Sequence, residues 1–242
     1  MNRTERHHLK ENELAHLAGS ARHIVEEKRG QITAVSIAVV VVLVAGLGYY
    51  AWNSRIQGRA HSLLAEALVL DDARIGPPPA PGSPNPGGVS FPTPRAKYQA
   101  ALTKFKIAAD EYPKTEAGIF ARYRQAGTFM SLGEPKGALE AYQQVIDAAG
   151  DSLYGQMARL GLAEAQAQTG SFDQAIAAFT ELAQRKDGPV PVDGVLARLG
   201  RAYLDAGKKA DAEKTFNRLV EEFPGSPFTD EAKRELEQVK KS

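Results

Sequence analysis

Histidine is the side chain that most readily moves protons or holds a metal near neutral pH, and this chain keeps its five at one end. His7, His8, His16 and His23 precede a long apolar run, His61 follows it, and none occurs from residue 62 to 242. Cysteine is absent throughout. Thiol catalysis, disulfides and thiolate metal sites are therefore excluded, and a His-based triad or His-ligated zinc is excluded from residue 62 onward. The His7-His8 pair reads as part of a solvated tail. Two carboxylate pairs, Asp71-Asp72 and Glu221-Glu222, are adjacent residues on expected helices. Such neighbours face different directions, so both pairs read as solvated faces rather than acid–base couples. Gly82, Gly87 and Gly88 lie among prolines, without the strand-to-helix setting of a phosphate loop. No catalytic, cofactor-binding or metal-ligating residue is nominated. The expectation is a binding protein and not an enzyme.

Charge narrows the partner. The chain carries 30 Lys and Arg against 29 Asp and Glu. Once the six basic and five acidic residues up to Trp52 are left aside, 24 of each remain. A neutral domain of this kind suits protein rather than nucleic acid, whose binding depends on neutralising phosphates.

The elements that would position a binding surface follow from an internal repeat. Gly133, Gly170 and Gly207 recur every 37 residues; five residues after each comes Ala138, Ala175 or Ala212, and four further Tyr142, Phe179 or Phe216. One more step back reaches Ala101 and Phe105. Between glycines lie two amphipathic segments at helical spacing, such as Leu153 to Gln168 and Phe172 to Arg185. Glycine permits the tight turn between them, alanine lets the paired helices approach, and the aromatic fills the space between neighbouring pairs. Pro113 and Pro224 end second helices, and Pro135 starts one.

These features resemble the tetratricopeptide repeat over about residues 95–242, with the repeats themselves in 95–226, best in Leu196-x-x-Leu199-Gly200-x-x-Tyr203-x-x-x-Gly207 followed by Ala212, Phe216 and Pro224. The middle copies are looser, with Ala126 and Ala163 at the small position. The fold class expected is all-α: a single N-terminal transmembrane helix followed by a helical solenoid. Residues 227–242 would cap its last apolar face. Residues 53–75 would form an irregular first repeat helix, across a 76–94 insertion holding eight of the fourteen prolines. That insertion reads as a passive extended loop.

Projection of the repeat lines a concave wall with the first helix of each pair. It nominates a partner-binding groove of Phe120, Tyr123 and Met130, then Met157, Leu160 and Glu164, then Ala197, Arg201, Leu204 and Asp205. Tyr123 is expected to serve binding with little part in stability, and Phe179 the reverse. Gly127, Glu164 and Arg201 share one repeat position, unlike the Lys/Asn/Arg set that clamps C-terminal carboxylates.

Ile32 to Trp52 is a 21-residue run without a charge, about 30 Å of helix and so the thickness of a bilayer core. Lys28 and Arg29 flank one end, and Tyr49, Tyr50 and Trp52 close the other. A cleavable signal peptide is the competing reading; the long leader, the long apolar core and the lack of a small-x-small site weigh against it. Six basic residues up to Arg29, against Arg55 and Arg59 close behind the span, place the N-terminus inside. Within the 1–31 leader, Leu14, Leu17, Ala18, Ala21, Ile24 and Val25 recur at helical spacing.

As a whole, the order of leader, span, irregular pair and repeats resembles the ancillary subunit family of the bacterial SecYEG translocon. That resemblance implies a single-pass inner-membrane protein with a periplasmic domain, and an adaptor or chaperone-like role in export or periplasmic folding. SecYEG, periplasmic chaperones and unfolded exported chains are the partners it implies, with no cofactor. The alternative is an envelope scaffold. Glu111-Tyr-Pro-Lys-Thr115 and Glu222-Phe-Pro-Gly-Ser226 resemble joints in outer-membrane assembly lipoproteins and the Tol-associated division coordinator.

Overall fold

The computed structural model describes residues 29–77, 88–185 and 188–241. The leader stripe, the His7-His8 pair and most of the proline insertion lie outside the described residues. The chain divides into two compact units, Met1–Arg55 and Ile56–Ser242.

In the first unit the apolar run is helical throughout. Helix α1 (Arg29–Asp71) is continuous through the division expected at residue 52. From Val35 to Trp52 its large apolar side chains are all exposed, Val42 and Tyr50 by 70% or more. By length and composition it is the one described helix able to cross a membrane, a test that a signal sequence also passes.

In the second unit helices follow one another as antiparallel partners would. They are α2 (Pro94–Glu111), α3 (Glu116–Leu132), α4 (Pro135–Ala149), α5 (Leu153–Gln168), α6 (Phe172–Gln184), α7 (Val192–Asp205), α8 (Lys209–Glu222) and α9 (Thr229–Lys241). Each from α2 packs on the next, and α5 also touches α3 and α7, so the first helices of successive pairs stand side by side. The repeat glycines do what their spacing requires: Gly133, Gly170 and Gly207 all take φ between 73° and 81°, the left-handed turn open to glycine. Pro94 and Pro135 begin helices, where a missing N–H removes no ladder bond.

The repeat alanines and aromatics form the core. Ala101, Ala138, Ala175 and Ala212 are sealed from solvent, and Phe105, Tyr142, Phe179 and Phe216 are buried beside them. Phe105 joins Ala60, Leu64 and Ala67 of α1 to α3; Tyr142 seats a cluster centred on α3 to α5; Phe179 and Phe216 serve the larger cluster that ends on Ala232 and Leu236 of α9. Besides sharing that cluster with the following helix, the Phe216 ring lies over Gly200 of its own pair. A Cβ there would come within 2.4 Å of the ring.

Two findings lie outside the sequence expectation. The flanks of the insertion pair as two-residue parallel strands, β1 (Arg74–Ile75) with β2 (Ser90–Phe91), so an otherwise helical fold carries one small β-bridge. Asp71, expected on a solvated face, is 8% exposed. It ends α1 against Arg124 of α3, while Lys97 donates to its carbonyl oxygen at 2.8 Å. Arg124 also lies over the Phe105 ring at 5.8 Å. A carboxylate at a helix C-terminus opposes the helix dipole; the two cations offset that.

Candidate protein-binding groove

Helices α3, α5 and α7 carry the nominated residues. The starts of α3 and α5 are fixed locally: Thr115 accepts a hydrogen bond from the Gly118 N–H at 3.0 Å, and Ser152 one from the Gly155 N–H at 3.5 Å. Glycine is needed at both third positions, since a Cβ would fall within about 2 Å of the Tyr112 or Gly150 carbonyl oxygen.

On α3 the groove begins as an aromatic stack. Phe120 sits 6.4 Å from Tyr123 and 5.3 Å from Tyr154, and Tyr123 lies 5.9 Å from Tyr142 and 6.5 Å from Tyr154, all between ring centroids. Such separations suit tilted or offset aromatic pairs. Burial pushes the Tyr123 hydroxyl pKa up, and the Glu164 carboxylate adds to the rise. Tyr142 is pushed further in the same direction, again chiefly by burial. Tyr123 is therefore half-buried and packed on three rings, a setting that argues for a part in stability as well as in binding. Beside it opens a cleft of about 350 Å³ bordered by Asp71, Lys97, Tyr98, Gly127 and Tyr142.

Towards the C-terminal end the groove becomes ionic. Glu164 pairs with Arg198, and Arg201 with Glu231 at 2.5 Å and Glu235 at 2.9 Å. A second cleft, about 370 Å³, lies among these groups over an apolar floor that includes Ala167, Ala197 and Phe228. It brings together Glu164, Ala197, Arg201 and Asp205 of the nominated set. Leu160, Ala197 and Leu204 pack on the larger core cluster, Tyr123 and Met130 on the middle one, and Phe120 on the first. Met157 is half-buried, while Arg201 and Asp205 are exposed.

Sequence reading missed Arg198, Gln168, Phe228 and Glu231, which share the second cleft. Arg198 stands one turn from the repeat position and Glu231 comes from the cap, so no single repeat displays them together. Among the described residues, no cluster of three His, Asp or Glu could hold a metal ion.

A row of helix pairs whose first helices stand side by side defines a repeat protein that binds other proteins. The tetratricopeptide repeat-like domain family matches residues 27–240, and the chain belongs to that family. Among solved structures, a tetratricopeptide repeat protein from Parabacteroides merdae is 13% identical with a TM-score of 0.54, covering 75% of this chain and 60% of its own. The tetratricopeptide-like repeats of a putative kinesin light chain from Podosopora anserina are 15% identical with a TM-score of 0.53, covering 60% and 77%. At these identities the likeness is one of fold. No curated protein matches the chain.

Proposed function

We propose that this chain is a non-enzymatic adaptor or chaperone-like subunit anchored in a bacterial inner membrane. In this reading α1 spans the bilayer, the leader lies in the cytoplasm and the repeats lie in the periplasm. The groove of Phe120, Tyr123, Met130, Met157, Leu160, Glu164, Arg201, Leu204 and Asp205 takes polypeptides leaving the SecYEG translocon or handled by periplasmic chaperones. The observation that carries the reading is the run of exposed large apolar side chains from Val35 to Trp52 of α1, ahead of the packed helices of a protein-binding repeat domain. Exposed apolar surface of that extent calls for lipid. Half-buried aromatic and methionine side chains suit a surface that accommodates varied chains.

The test is in-cell photocrosslinking from a probe replacing Met157, a half-buried groove position. Translocon subunits, periplasmic chaperones or nascent secreted chains in the crosslinked products are the expected result. Division or outer-membrane assembly proteins alone would replace this reading with the envelope scaffold.

A further inference from the structure

Carboxylates outnumber cations at the C-terminal cleft. Its two guanidinium groups are both engaged, Arg198 with Glu164 and Arg201 with Glu231 and Glu235. Asp205 borders the same cleft and is exposed, with no ion pair to another described residue. It is also the last residue of α7, and Gln168, across the cleft, is the last residue of α5. Both helices therefore end on this cleft, and neither carries a basic residue in its last turn. Helix C-termini hold partial negative charge and favour cations. A carboxylate placed there adds to that charge, and nothing in the packing of exposed Asp205 requires it. Below the charged rim lie Ala167, Ala197, Ala202 and Phe228, a floor suited to the methylene stem of a long cationic side chain.

We infer that this cleft is a socket for one lysine or arginine side chain of a bound polypeptide, its stem on the alanines and its head at Asp205. This rests on the protein-binding reading above and gives that groove a preference: partners presenting a basic residue within an apolar stretch. The surplus carboxylate selects the cation, and the aromatic stack on α3 contributes contact without regard to charge.

The test uses the full chain in detergent micelles and a short labelled peptide of leucine, alanine and serine with one central arginine. The comparison peptide carries citrulline, which keeps the shape and removes the charge. Fluorescence anisotropy should show the arginine peptide binding about tenfold more tightly, the scale of a charge-assisted hydrogen bond. Asp205→Asn should abolish the difference between the two peptides while leaving the thermal melt unchanged. Added salt should narrow the gap between the peptides. Equal binding of both peptides to the unsubstituted protein would overturn the socket and leave the protein-binding reading standing. An arginine preference that survives Asp205→Asn would overturn it too. Binding of neither peptide, with the helical melt intact, would overturn both.

Discussion

Tyr142 is held between two glycines that differ in what they tolerate. A Cβ on Gly161 would come within 2.3 Å of the ring, whereas one on Gly127 would meet the hydroxyl at 3.8 Å, an ordinary contact. Gly161→Ala should therefore destabilise by about 1–3 kcal/mol, as overpacking does. Gly127→Ala should be neutral or stabilising by up to about 1 kcal/mol, because alanine is the better helix former. Urea titrations followed by circular dichroism separate the two, and equal effects would mean that the ring is not seated against α5. Phe179, 1% exposed, should lose about 3–5 kcal/mol on truncation to alanine by opening a cavity. Tyr123→Ala should lose both stability and partner binding, since its ring meets Phe120, Tyr142 and Tyr154. The same titrations and peptide binding measure both quantities; loss of binding alone would return Tyr123 to the purely recognition role first expected of it.

At the scale of elements, joints between helices depend on ion pairs that link one helix to another. Lys106 on α2 holds Asp110 one turn on, at 2.5 Å, and Arg122 of α3 reaches the same carboxylate at 2.5 Å. The hydrogen bond from Lys106, then that from Arg122, lowers the Asp110 pKa against the opposing effect of burial. A carboxyl whose folded pKa is depressed contributes stability above its unfolded value and loses it as pH falls through the folded one. Asp110→Asn should lower Tm slightly at pH 7, with the gap to the unsubstituted protein closing as pH falls below about 4; a gap that persists in acid would count against the ion pair. The repeat itself was legible because each of its marks is a local demand, such as the left-handed turns at Gly133, Gly170 and Gly207. Thr115-x-x-Gly118 and Ser152-x-x-Gly155 share the 37-residue spacing and were open to reading too. They report capped helix starts whose glycines admit a carbonyl oxygen. Asp71 was not legible. Its partner Arg124 lies 53 residues on, beyond the proline insertion, and a one-letter string of adjacent acids looks the same solvated or buried.

For the whole molecule, the decision that matters is whether the apolar run of α1, up to Trp52, stays or is removed. A cleaved signal and a permanent anchor both need an apolar helix, so composition alone does not separate them. What separates them is the fate of the leader and the side on which the repeats emerge. The natural absence of cysteine makes both readable without background. A single cysteine replacing Lys233 occupies an exposed position on α9, and one replacing Ser20 lies in the leader. With a membrane-impermeant maleimide on cells whose outer membrane has been opened, Lys233→Cys should be labelled directly. Ser20→Cys should react only after the inner membrane is dissolved. The membrane fraction should keep the protein through alkaline carbonate washing, as an apolar span in lipid resists extraction while peripheral contacts do not. Labelling of both positions in such cells would put leader and repeats on one side and overturn the span itself, whereas labelling of Ser20→Cys alone would reverse the orientation drawn from the basic residues up to Arg29. Loss of the Ser20→Cys signal even after solubilisation, with a shortened chain released by carbonate, would make the apolar run at the start of α1 a cleaved signal. The groove would then belong to a free periplasmic protein, able to meet chains anywhere in that compartment rather than where they cross the membrane.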